Sequence, residues 1–213
     1  MKRTTPLEER AYTFEIRAEA DEAKGAKITG RPIVFEQKTD IGGFFQEVID
    51  ARALDKTDLT DVRFLVNHDF SKIPLARSRR NNGNSTMQLN PDAQGLQIEV
   101  KLDTENNAEA KALMSAVQRR DISGMSFMFS VDAEEWTELE SDHPTRHITQ
   151  IGSVVEVSAV TFPAYESTEI TARSKEALEN ARSALESARQ QNAKSLESDL
   201  ELLKAKTKIL GGH

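Results

Sequence analysis

The sequence contains no cysteine. Disulfides, thiolate metal centres and cysteine nucleophiles are therefore excluded, and the chain suits a reducing compartment. Long hydrophobic runs are missing too: no apolar stretch approaches the ~20 residues a helix needs to cross a bilayer. The start, Met1-Lys2-Arg3-Thr4-Thr5-Pro6, is charged but lacks the apolar core of a secretory signal. These absences predict a soluble, cytoplasmic protein with no membrane partner. Positive charge is also short. The 28 Lys and Arg stand against 35 Asp and Glu, leaving a net charge of −7, so nucleic acid is not an expected partner. The basic cluster Arg77-Ser78-Arg79-Arg80 sits among polar loop residues and reads as a solvated turn. Finally, glycine and proline vanish between Ser174 and Lys208.

What is present before that point reads as many short strands. Residues 12–18 alternate apolar and polar, as a half-buried strand does. Residues 1–10 precede them as a polar tail. Residues 28–35 predict a second strand, with Pro32 marking an edge or a bulge. Gly42-Gly43 is a turn signal before a strand over 44–49. Residues 51–58 suit a short helix, and 62–66 a strand ending at Asn67-His68-Asp69. Leu96, Ile98, Val100 and Leu102 share one face of a further strand. Thr104 resembles a helix cap, and Ala108, Ala112, Leu113, Ala116 and Val117 follow at helical spacing over 107–119. Residues 124–131, 147–151 and 154–162 complete the strand set. The pattern predicts a mainly β, α+β fold: a closed or nearly closed antiparallel-rich barrel with helices packed on it, spanning 11–170.

Residues 174–210 are rich in helix formers. Leu178, Leu185, Leu196, Leu200, Leu203 and Leu210, padded by Ala181 and Ala188, make a stripe too thin for one wall of a globular core. It reads either as a coiled-coil or partner-docking helix, or as a partly helical tail.

Three residues invite a chemical reading. Ser126, in Gly124-Met125-Ser126-Phe127-Met128-Phe129, is a small hydroxyl inside a bulky strand, where it can be held rigidly toward a cleft. A base is needed to activate it, and histidine is the usual one because it titrates near neutrality. His68 directly follows a buried-looking strand, although by position alone it reads first as an ordinary surface or core histidine. Glu156 stands in Val154-Val155-Glu156-Val157-Ser158-Ala159-Val160, a run suited to burial, where a carboxylate needs a partner. An imidazolium would serve; an outward-facing glutamate on a half-wet strand is the equal alternative. His143 and His147 are spaced i, i+4, but Pro144 intervenes and no third ligand is evident, so they predict a solvated loop and no metal site. No Gly-x-Ser-x-Gly elbow is present, which argues against a small-ester hydrolase.

Four blocks, in order, resemble the prohead (capsid maturation) protease family of tailed phages. They are Phe64-Leu65-Val66-Asn67-His68-Asp69 with Ile73-Pro74-Leu75-Ala76-Arg77; Gly95-Leu96-Gln97-Ile98-Glu99-Val100-Lys101-Leu102; Ile122-Ser123-Gly124-Met125-Ser126-Phe127; and the run from Glu156 through Val157-Ser158-Ala159-Val160-Thr161-Phe162-Pro163-Ala164-Tyr165. That family is similar to the herpesvirus assemblins, which implies a seven-stranded barrel wrapped by helices. The resemblance implies Ser126 as nucleophile, His68 as base and Glu156 as orienting third member, with Asp69 or His147 next in line for the third role. It implies backbone donors for an oxyanion at Ala164 and Tyr165, since Pro163 has no N–H. No cofactor is expected. The implied activity is a serine endopeptidase that cuts the scaffolding segment of the major capsid protein, and itself, inside the procapsid in the host cytoplasm. A homodimer or higher homo-oligomer is compatible, and the rival is an inactive assembly factor on the same fold.

Overall fold

The structure, a computed structural model, describes residues 7–12, 16–21, 25–80, 82–161 and 172–210. Among these lie eleven strands and two helices: β1 Leu7–Tyr12, β2 Arg17–Asp21, β3 Gly25–Val34, β4 Thr39–Ile41, β5 Phe45–Ile49, β6 Asp61–Val66, β7 Ala76–Arg79, β8 Met87–Asp92, β9 Gly95–Leu102, α1 Ala108–Gln118, β10 Gly124–Thr137, β11 Thr145–Val160 and α2 Ala172–Leu210.

The strands form two sheets. One runs β2-β3-β9-β8. The other has seven strands in the path β1-β10-β11-β5-β4, with β6 added on β11 and β7 on β6. The expected mainly β, α+β class holds, but the expected barrel does not. Among the described residues neither sheet closes on itself. The reason lies in β11, a strand of 16 residues that splits its outer edge between two partners. Thr145–Ile148 pairs parallel with β5, and Glu156–Ala159 pairs parallel with β6. The sheet therefore forks instead of rolling round to join its ends.

Several local expectations are also corrected. Residues 7–10, read as tail, belong to β1. Residues 51–58 are not a helix but successive turns, with Ala53 N–H bonded to Asp50 O, Asp55 to Arg52 O and Thr57 to Leu54 O. The cap of α1 is Asn107, whose side chain accepts from the Glu109 and Ala110 N–H groups, rather than Thr104. Pro32, in contrast, falls where expected, at an irregularity between Gly30 and Ile33 in the β3–β9 ladder. Gly95 needs its lack of a Cβ: its φ is +140° and an added Cβ would lie 2.0 Å from the Ile33 carbonyl oxygen.

The core fills the space between the sheets and α1. Ile28, Ile33, Leu96, Ile98 and Val100 enter it from one sheet, Phe64, Met125, Phe127, Phe129 and Val157 from the other, and Leu113 and Val117 from α1. Phe127 and Phe129 stack with centroids 4.8 Å apart, and each aromatic buried this way is worth about 1.5–3 kcal/mol. The same alternation directs the intervening side chains. With Met125, Phe127 and Phe129 committed to the core, Ser126, Met128 and Ser130 face the other way.

The helix α2 divides in two. Its first half covers the domain. Ala181 and Leu185 are buried, the Arg182 guanidinium lies 4.3 Å from the Phe44 ring centroid, and Arg189 donates to the Leu139 and Ser141 carbonyls. The helix packs against β1 there. Farther along, Leu196, Leu200, Leu202 and Leu203 are exposed. No helix among the described residues is long and apolar enough to cross a membrane.

Candidate active site

The centre is built on three neighbouring strands. In the β10–β11 ladder Ser126 stands opposite Ser158, and Met128 opposite Glu156. In the β11–β6 pairing Ser158 faces Leu65 and Ala159 faces Val66. Glu156 owes its direction to a bulge. The register shifts so that Phe129 pairs with Val154 while Met128 pairs with Glu156, leaving Val155 extra. A regular strand would put Val154 and Glu156 on one face; the bulge sends Val154 to the core and Glu156 to the Ser126 side.

His68 arrives by an abrupt reversal after β6. Asn67 and His68 both have left-handed backbones, with φ of 51° and 55°. For residues with a Cβ this conformation is costly and is held only by surrounding bonds. Those bonds are present. The Asn67 N–H donates to the Ala159 carbonyl at 3.0 Å. The Asn67 side chain donates to Thr161 Oγ1 and accepts from the Thr161 N–H, each at 3.0 Å. The His68 N–H donates to Ser158 Oγ at 3.0 Å.

The reversal turns the imidazole back over β10 and β11. Its Nε2 lies 2.7 Å from Ser126 Oγ, and its Nδ1 forms a short hydrogen bond with Glu156 Oε1. The other Glu156 oxygen accepts from the Ser158 hydroxyl at 2.8 Å. Ser158 thus braces the histidine backbone and the carboxylate at once. Ser126 and Glu156 are fully buried, while the His68 side chain keeps 14% exposure. All three residues singled out in the sequence come together. The other candidates lie elsewhere: Asp69 accepts from the Ser71 N–H and hydroxyl, His147 Nδ1 faces Asp50 at 3.0 Å, and His143 bonds Asp40 at 2.7 Å. Ala164 and Tyr165 lie outside the described residues. Beside the His68 turn, a cleft of about 360 Å³ opens between α1 and the loop that follows β6, lined by Asn67, Asp69, Ile73, Leu113 and Ala116 among others.

Sequence reasoning missed β1. Ser126 Oγ also donates to the Arg10 carbonyl at 2.9 Å, and Glu9 Oε1 lies 3.3 Å from His68 Nε2. Next to these contacts is a buried ionic cluster. The Arg10 guanidinium forks onto Glu47 at 2.6 and 2.7 Å and reaches Glu8 at 2.8 Å. Arg146 grips both Glu8 oxygens, at 2.8 and 2.9 Å, together with Glu47 and Glu134. Burial alone would raise the Glu8 carboxyl, but Arg10 and Arg146 outweigh it and hold the group below the usual carboxylate range. Burial would lower both guanidinium groups, and their carboxylate partners more than offset it. Nothing in the sequence flags this cluster, whose members are up to 138 positions apart. Ser158 was visible as a second small polar residue two places from Glu156, the spacing that puts both on one strand face.

A hydroxyl, an imidazole and a carboxylate joined in that order, on a rigid sheet, are the parts with which serine hydrolases work. The chain belongs to the caudovirus prohead serine protease family, whose model matches residues 13–183. It is therefore a serine peptidase. Among solved structures it is similar to that of the bacteriophage T4 capsid assembly protease, at 12% identity and a TM-score of 0.35, over 72% of this chain and 98% of that one. No curated protein matches the chain.

Proposed function

We propose that this peptidase cuts the scaffolding segment of the major capsid protein, and its own chain, inside the assembled procapsid in the host cytoplasm, with Ser126 as nucleophile, His68 as general base and Glu156 as orienting carboxylate. The observation that carries the reading is the continuous chain of hydrogen bonds from Ser126 Oγ through both ring nitrogens of His68 to Glu156. His68 Nε2 takes the hydroxyl proton as Oγ attacks the scissile carbonyl. Glu156 keeps the other proton on Nδ1 and stabilises the imidazolium that forms. Backbone N–H groups of Ala164 and Tyr165 hold the oxyanion. His68 then protonates the leaving amine, and water releases the acyl group by the same steps in reverse.

The exposed leucines of α2 fit a second element of this proposal. Leu196, Leu200 and Leu203 recur at helical spacing and would dock on a helical scaffolding segment, carrying the enzyme into the shell or pairing it with another copy. The experiment is co-expression of the capsid protein with the wild-type chain and with Ser126→Ala. Processing should stop with the variant while shells still assemble around it. Unchanged processing would show that Ser126 is not the nucleophile.

A further inference from the structure

We propose that the β10 edge now covered by β1 is the peptide-binding site, and that β1 is a resident pseudosubstrate that keeps the centre latent until it leaves. The inference rests on Ser126 being the nucleophile. An endopeptidase must hold an extended peptide so that one carbonyl lies on the attacking hydroxyl, and a sheet edge does this with backbone bonds alone. β1 already occupies that position. It runs antiparallel to β10 from Leu7 opposite Ser130 to Tyr12 opposite Met125, at the end of the sheet path. Its Arg10 carbonyl takes the hydrogen bond of Ser126 Oγ.

The posture is nevertheless a resting one. A serine hydroxyl has one hydrogen, and attack requires it to point at His68 Nε2. Given to the Arg10 carbonyl, it cannot. Glu9 acts in the same direction, because its carboxylate oxygen lies 3.3 Å from Nε2 and crowds the side of the ring that must face the Ser126 hydroxyl. Two groups of β1 thus favour the state that cannot react.

The same strand indicates what the edge accepts. The carboxylate at the Glu8 position meets Arg146, and the guanidinium at the Arg10 position meets the fully buried Glu47. Without β1, Arg146 faces Glu47 and Glu134 alone, one cation against two carboxylates. An extended peptide carrying Glu-x-Arg in this register satisfies those charges, and α2, packed on β1, helps keep the resident copy in place.

A staple tests this in the full chain. Leu7→Cys with Ser130→Cys places two thiols on directly opposed residues of the β1–β10 pair, within the span a disulfide bridges. The chain has no other cysteine to compete. Labelling of Ser126 by a fluorophosphonate probe, and cleavage of co-incubated capsid protein, should be about tenfold or more slower oxidised than reduced, because apparent rates scale with the fraction of open sites. Equal rates in the two states overturn the inference and leave the nucleophile intact. Labelling that is no greater than in Ser126→Ala in either state overturns the nucleophile, and the inference with it. As an independent measure, a chain lacking residues 1–12 should label faster than the full chain, and the peptide Leu-Glu-Glu-Arg-Ala-Tyr should slow it again. A folded truncation that labels no faster, or ignores the peptide, also refutes the proposal.

Discussion

Glu156→Gln is the most incisive perturbation of this centre, because it keeps the shape and changes only charge and hydrogen-bonding sense. In the wild-type arrangement one carboxylate oxygen takes the His68 Nδ1 bond and the other accepts the Ser158 hydroxyl. Ser158 Oγ meanwhile accepts from the His68 backbone N–H. Its own hydrogen is therefore directed at position 156. A glutamine satisfies that hydrogen only by turning its oxygen to Ser158, which aims its NH2 at Nδ1. The imidazole must then carry its proton on Nε2, the tautomer that cannot accept from Ser126. The flipped amide restores the tautomer but leaves the Ser158 hydrogen facing a donor. The charge is lost in either case. A carboxylate and an imidazolium with centres about 4 Å apart interact by about 4 kcal/mol at an effective dielectric of about 20, or about 1,000-fold in rate. With the tautomer penalty, kcat should fall about 1,000- to 10,000-fold with KM little changed. Steady-state cleavage of a capsid-derived peptide measures this. Adding Ser158→Ala to Glu156→Gln removes the preference for the wrong amide orientation and should recover part of the loss. A Glu156→Gln enzyme within tenfold of wild type would refute the orienting role.

Other consequences are equally direct. Ser158→Ala alone removes two bonds that position His68 and Glu156, each worth about 0.5–1.5 kcal/mol; kcat should drop about 10- to 100-fold with KM unchanged, and an unaltered kcat would show that the brace is dispensable. Arg146→Met leaves Glu8 and Glu47 buried with only Arg10 between them and should cost about 3–5 kcal/mol of stability in urea unfolding; a loss under about 1 kcal/mol would mean that solvent already satisfies the cluster. Because the folded-state pKa of Glu8 is depressed, its contribution is complete above the ordinary glutamate value of 4.5 and is lost as pH falls through the lowered value. Urea midpoints should accordingly decline below about pH 4.5, the window the linkage relation sets, and a midpoint flat to more acidic pH would contradict the pairing. Asp92 is held down to about 2 by its two-point pairing with Arg31.

Most strands could be read directly from the sequence because alternation depends only on local geometry: Leu96, Ile98, Val100 and Leu102 had to share a face whatever packed against them. The helix over 107–119 was equally local. The fork of the seven-stranded sheet was not, since it depends on β11 choosing two parallel partners that lie far from it in sequence, β5 and β6. Residues 51–58 suited a short helix, but they settled into turns that bury Ala53 and Leu54 and bond to β11, with the Ile151 N–H on the Ala53 carbonyl and the Asp58 N–H on the Gly152 carbonyl. At the candidate site, Ser126 and His68 were legible as residue types in suggestive places. Glu156 was ambiguous by alternation because a bulge, which alternation cannot foresee, decides its face.

The sequence by itself determined the classes of chemistry open to this protein: no thiol, no strong basic surface, a serine set among bulky residues of a strand, and four ordered blocks that mark its family. Tertiary structure alone decided how those residues meet. Two consecutive left-handed residues and one bulge bring His68 and Glu156 together over Ser126. Long-range pairing lays β1 along β10, with the Arg10 carbonyl on the serine. The hydrogen bonds that join His68 to Ser126 and Ser126 to Arg10 link residues 58 and 116 positions apart. The physical reason is that local preference sets which face a side chain takes, while only closure of the whole sheet sets what stands opposite it.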